Sequence, residues 1–119
     1  MTSHAELTED GLARLVESFY ARVRADALIG PVFNRAIGDW PHHLGKLTNF
    51  WSSVMLGSGR YEGNPVAAHL KHIDAITPEM FERWLALWHE TAADVMAPEV
   101  AALLQAKADR IAESLKLAI

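Results

Sequence analysis

The chain has 119 residues, half of them apolar, with a formal net charge of -4 and no cysteine. That size fits one domain with a single core, and the missing thiols exclude disulfides, zinc knuckles, iron–sulfur clusters, cysteine nucleophiles and cofactor attachment through Cys-x-x-Cys-His. Scattered basic residues and an acidic balance argue against phosphate-backbone binding, which needs clustered Lys and Arg. The first ten residues lack the charged and apolar regions of a secretory signal and no run is long enough to span a bilayer, so a soluble cytoplasmic protein is expected.

Thr8-Glu9-Asp10 supplies a capping hydroxyl and two acids for a first turn, and Leu12, Leu15, Val16, Phe19, Tyr20 and Val23 then repeat at helical spacing. A long helix from about Glu9 to Arg24 follows. Gly30-Pro31 reads as a break, with a brief helical turn over Val32 to Ile37 before Gly38. Asp39 caps a second long helix with Pro41 in its first turn. Along it His43, Leu47, Phe50 and Val54 share a face that Trp40, Leu44, Trp51 and Met55 widen, so this helix is expected to be buried over more than one stripe.

Gly57 to Pro65 is a loop by composition, leading into a short helix whose apolar stripe is Val66, His69, Leu70 and Ile73. Thr77-Pro78-Glu79 starts another long helix, marked by Phe81, Trp84, Leu85, Trp88, Thr91, Ala92 and Val95 and ending near Pro98. Ala101, Leu104, Ala108, Ile111, Leu115 and Ala118 mark the last. No period-two pattern competes and no repeat or linker is visible, so the chain reads as one all-α domain with four long helices and two short ones.

His69 is the residue with most to say about chemistry. Its place inside an apolar stripe turns the imidazole inward, which suits either a core histidine with one hydrogen bond or a ligand to a metal held in an apolar pocket. Phe19, Tyr20, Phe33, Phe50, Trp51, Trp84 and Trp88 also fall on faces expected to be buried. Tyr20 and Trp84 carry donors inward, and burying one without a partner costs about 1 to 3 kcal/mol, so each needs a backbone carbonyl, a wet edge or a ligand. His43 is the second inward imidazole by spacing. His42 points about 100° away and is expected in solvent, His72 sits at the rim of its stripe, and nothing singles out His4 or His89. There is no Gly-x-Ser-x-Gly elbow, phosphate loop, His-Glu-x-x-His or inward Glu-x-x-His, and Glu9-Asp10 is explained by a helix start.

Taken as a set, Phe19-Tyr20, Leu28-Ile29-Gly30-Pro31-Val32-Phe33-Asn34, Asn49-Phe50-Trp51, Leu56 to Tyr61, Gly63-Asn64-Pro65 and Phe81 to Leu85, with His69 and His43 at their spacing, resemble a truncated haemoglobin of the third group, from about Leu12 to Leu117. The resemblance implies a shortened globin fold, a two-over-two helical sandwich around haem b, with His69 as the proximal iron ligand. It implies that Tyr20 and Trp84 face a bound diatomic ligand, that His43 is the distal histidine proposed as a gate, and that Phe33 packs on the haem face. The paired glycines of the other groups are missing, so their apolar ligand tunnels are not carried over. Trp88 stands where a phenylalanine is expected.

On this resemblance a five-coordinate iron beneath a polar pocket would bind dioxygen, carbon monoxide or nitric oxide. Tight retention suits redox chemistry or sensing, of nitric oxide or peroxide, better than oxygen transport. Turnover would need an external electron donor, since no reductase domain is visible. Lys46, Arg60 and His72 are candidates to reach the haem propionates, and a monomer is expected. The rival reading is a cofactor-free helical module whose last amphipathic helix serves a partner. Purification separates the two: the haem reading expects a red protein whose Soret band is lost on His69→Ala, and a colourless, folded wild type would refute it.

Overall fold

In the computed structural model, which describes residues 4–60 and 77–118 (the last four of these by backbone alone), three of the five described helices begin on a side-chain cap legible in the sequence. The Thr8 hydroxyl accepts from the Gly11 amide at 3.1 Å and opens α1, Glu9–Ala25, whose acids Glu9 and Asp10 and bases Arg22 and Arg24 complement the helix dipole. Its buried face carries Leu12, Leu15, Val16, Phe19, Tyr20 and Val23, the expected stripe. Ahead of it, Ala5 donates to the Val95 carbonyl at 2.8 Å, and the chain passes so close to Gly11 that a Cβ there would lie 1.7 Å from the Glu6 carbonyl oxygen.

α2 spans Gly30–Ala36, starting two residues before the expected turn. Gly30-Pro31 opens this helix instead of breaking it, because an amide hydrogen is not needed in a first turn. The Asp26 carboxylate prepares the turn by accepting from the Leu28 and Ile29 amides, both at 3.1 Å, and also pairs with Arg83 at 2.7 Å. α3 spans Trp40–Leu56, capped by Asp39 through the His42 amide at 3.1 Å and closed by Gly57 at φ 65°, the left-handed position that favours glycine. α4, Pro78–Val95, begins where the Thr77 hydroxyl accepts from the Met80 amide at 3.2 Å, and α5 runs over Pro98–Ala118. All four long helices and one of the two short ones are thus present. The second, at His69, lies outside the described residues.

α1 packs against α2, α3 and α4, and α4 against α5, so that α1 and α3 form one layer over α4 and α5. The core fills the space between them. Trp88 is fully buried there, stacked on Trp51 with ring centroids 4.4 Å apart, edge-on to Phe19 at 4.9 Å, and donating from its indole nitrogen to the Leu104 carbonyl at 3.1 Å. Two buried hydroxyls are also satisfied. Thr91 donates to the Leu87 carbonyl at 2.6 Å, and Ser52 bonds to Glu9 and, at 2.7 Å, to Ser58.

The expectation for α3 needs correction: only Trp51 and Ser52 are buried on it, while Trp40, Leu44, Leu47, Phe50, Val54 and Met55 are half-buried. The reason is geometric. Among the described residues α3 has α1 as its main helical neighbour, so one side of a wide apolar arc is covered and the other is not. Among those residues, too, no helix is long and apolar enough to cross a membrane.

Burial alone would push the Asp26 carboxyl up, but the Ile29 amide, the Arg83 guanidinium and the Leu28 amide together outweigh it and hold the group below 3.8. A carboxyl whose folded value is depressed contributes stability above the unfolded value and loses it as pH falls through the folded one. Asp26→Asn should therefore cost about 1 to 3 kcal/mol at neutral pH. In denaturant titrations the gap to wild type should narrow as pH falls below 3.8 and close only once the pH is below the depressed folded value. A gap of constant size down that range would show that the carboxylate is not what α2 rests on.

Candidate functional site

Tyr20 lies near the end of α1 with 4% of its surface exposed, at the place where α1, α2, α3 and α4 approach one another. Its ring is 4.6 Å from Phe19, 6.0 Å from Phe33 on α2, and 5.9 and 6.1 Å from Trp40 and His43 on α3, measured between centroids. From α4 the Trp84 side chain approaches the phenol. Four helices thus converge on one aromatic ring. The helical period explains the grouping on α3, since Trp40 and His43 are three residues apart and share a face.

Burial pushes the Tyr20 phenol up to about 12, an effect the Trp84 hydrogen bond reduces without reversing. The group therefore keeps its proton across the physiological range and remains a donor. Trp84 is half-buried, edge-on to Phe19 at 5.6 Å and parallel to Trp88 at 6.3 Å, so its indole is held by the core on one side while part of it faces outward. Trp40 is likewise half-buried, 5.8 Å from His43 on one side and covered on another by the Arg24 guanidinium, 4.6 Å above its ring.

Beside this polar group runs the half-covered arc of α3, with Leu44, Leu47 and Phe50, joined by Phe33 from α2 and Met80, Trp84 and Leu85 from α4. An incompletely buried apolar wall with a few inward polar atoms suits a large flat cofactor. The residues present fit such a group. Tyr20, His43, Trp84 and Phe33 are the expected site residues that the structure brings together. Lys46 is exposed on α3, and Arg60 is exposed with its guanidinium nitrogen 3.1 Å from the Glu9 carboxylate, away from that group. His42 is exposed, as its spacing requires. His69 and His72 lie outside the described residues, among which no group of three or more His, Asp and Glu is arranged to hold a metal ion.

Sequence reading placed Trp40 in the apolar arc without seeing that it touches both Tyr20 and His43. Its signal was the three-residue step to His43. Trp88, where a phenylalanine was expected, belongs to the core and not to this wall, because its indole nitrogen finds the Leu104 carbonyl inside. Ser52 carried no signal at all, since its partner Glu9 lies 43 residues away.

No family profile matches the chain. It is 37% identical over 110 residues to the group 3 truncated hemoglobin ctb of Campylobacter jejuni, an alignment covering 89% of this chain and 86% of that protein. The crystal structure of a group III truncated hemoglobin from Campylobacter jejuni superposes with a TM-score of 0.84 at 35% identity, covering 96% of this chain and 92% of the other.

The chain has two tyrosines, Tyr20 and Tyr61, which makes the raised phenol testable. In a Tyr61→Phe background, phenolate absorbance should stay absent through pH 10.0 and appear only toward about 12. Because the folded value lies above the unfolded one, Tyr20 contributes stability that is complete below 10.0 and is lost as pH rises toward about 12. A phenolate appearing near 10.0 in the folded variant would place Tyr20 in solvent.

Proposed function

The chain belongs to the group III truncated haemoglobins, a family of haem-binding globins, and from that premise we propose that it holds haem b against the half-covered face of α3 and binds diatomic ligands beside Tyr20. His69 would hold the iron, and Phe33 and Trp84 would pack against the ring. Lys46, Arg60 and His72 are the candidates for its propionates. When bound, the haem supplies a redox-active iron with an open position for dioxygen, carbon monoxide or nitric oxide. The single observation that carries the reading is the phenol of Tyr20, buried among aromatic rings beside an incompletely covered apolar wall.

The side chains act by hydrogen bonding. The Tyr20 hydroxyl would donate to a bound ligand that carries negative charge, and Trp84, beside the phenol, would support that donor. Phe19, edge-on to both rings, keeps them in register from the core side. His43 stands across from Tyr20 and can add a second donor or withdraw it. A donor of this kind is worth about 1.5 to 3 kcal/mol to a charge-bearing ligand, and much less to one that stays apolar. A ligand held that firmly suits redox chemistry or sensing over carriage, because a carrier must release its cargo. Sustained turnover would draw on an external electron donor, and the domain is expected to act as a monomer.

Stopped-flow release measurements provide the test. Tyr20→Phe should speed dioxygen release by roughly tens to hundreds of fold and leave carbon monoxide release nearly unchanged. Equal effects on both gases, or none on either, would remove Tyr20 from the ligand's side of the pocket.

A further inference from the structure

The outer boundary of the Tyr20 group is built from two residues with no role in holding the haem or its ligand, Trp40 and Arg24. Trp40 fills the first turn of α3, with Tyr20 and His43 behind it at 5.9 and 5.8 Å between ring centroids. On its other side the Arg24 guanidinium lies 4.6 Å from the ring centre. Among the described residues Arg24 makes no ion pair, although Arg22, two positions earlier on the same helix, pairs with Asp94 at 2.7 Å. The charge of Arg24 is spent on the indole. Next to it, Ala21, Arg24, Ala25 and Asn34 line an open surface depression between α1 and α2, spanned by the Asn34 amide donating to the Arg24 carbonyl at 3.3 Å. From solvent inward the order is therefore depression, guanidinium, indole, then phenol and imidazole.

We propose that Arg24 and Trp40 form a latched door on the ligand's side of the pocket, controlling how fast small uncharged molecules reach Tyr20 from the depression between α1 and α2. The proposal rests on the haem reading above. The physical case is one of unequal anchoring. Phe19 and Trp88 are locked by rings on several sides and by a buried indole hydrogen bond, so they cannot yield on the timescale of ligand arrival. Trp40 is half-buried, and what restrains it from outside is a cation on a flexible stem at an exposed position. Cation–π contacts at exposed sites are weak enough to break often, and exposed side chains change rotamer within nanoseconds. Passage then requires the guanidinium to slide off and the indole to rotate outward. The door thus sets arrival, whereas Tyr20 and Trp84 set departure through their hydrogen bonds.

The test is carbon monoxide recombination after laser photolysis of the haem-loaded protein, read as the bimolecular association rate. Arg24→Met, which keeps a stem of similar length without the charge, should raise that rate about two- to fivefold, the factor corresponding to loss of one exposed cation–π contact. Arg24→Lys, which restores a cation, should return it toward wild type, and Trp40→Ala should exceed Arg24→Met. A second readout needs no cofactor: in the haem-free protein, acrylamide should quench tryptophan fluorescence more readily in Arg24→Met than in wild type, and the difference should vanish in a Trp40→Phe background. A normal carbon monoxide spectrum with unchanged association in both Arg24→Met and Trp40→Ala would overturn the door while leaving the haem reading intact. Failure of the purified protein to form any carbon monoxide spectrum would overturn both.

Discussion

The burial of one phenol at the meeting of four helices is the constraint on which the site depends. Packing the Tyr20 ring inside is favourable, but a hydroxyl left without a partner there gives back about 1 to 3 kcal/mol, so its oxygen calls for one. Trp84 approaches that oxygen from α4, across the boundary between the two helical layers. The same contact sets the position of two donors relative to each other. Phe19 then fixes the pair from behind, edge-on to Tyr20 at 4.6 Å and to Trp84 at 5.6 Å.

Around this point the molecule divides its aromatic residues into two classes. Phe19, Trp51 and Trp88 are locked in the core, where the Trp51–Trp88 stack and the bond from Trp88 to Leu104 leave no freedom. Phe33, Trp40, Phe50 and Trp84 are only partly buried against that core. A residue of the first kind specifies the fold, and one of the second kind offers surface to something else. An apolar wall left half-covered in a domain this small is costly to keep wet, since every square ångström that remains exposed forgoes the gain that drives folding. A bound flat cofactor restores that gain, which makes ligand binding and stability two aspects of one process.

Much of the polar framework works at a distance from the site by placing the helices that carry it. The Asp26 carboxylate organises the first turn of α2 and grips Arg83, the residue before Trp84. It thereby links the position of Phe33 to that of Trp84. On the opposite side Ser52, buried in α3, bonds to Glu9 in the first turn of α1 and to Ser58, while Arg60 pairs with Glu9 from the exposed side. Such networks are conditional: fully satisfied they hold one arrangement, and breaking one member leaves its partners buried without a bond.

Helix positions and the fold class were legible in the sequence, because they rest on local chemistry. Thr8, Asp39 and Thr77 cap where their hydroxyls and carboxylate suggested, and the stripe from Leu12 to Val23 is buried as its spacing required. The resemblance carried by Phe19-Tyr20, Phe33 and Phe81 to Leu85 named the family that the relatives then showed. Which apolar residues are covered was not legible: Trp51 and Phe50 are neighbours of similar character, yet one is buried and the other half-exposed, according to which side α1 happens to lie on. Nor were the partners of Asp26, Ser52 and Arg24 readable, since a side chain's partner across helices depends on how those helices are juxtaposed. The amino-acid order by itself determined the long helices, the caps at Thr8, Asp39 and Thr77 and the buried stripe of α1, all of which follow from chemistry along one chain segment. Only the tertiary structure decided that Trp40 stands between Arg24 and Tyr20 and that Trp88 belongs to the core, because contacts between segments are set by packing that no single segment encodes.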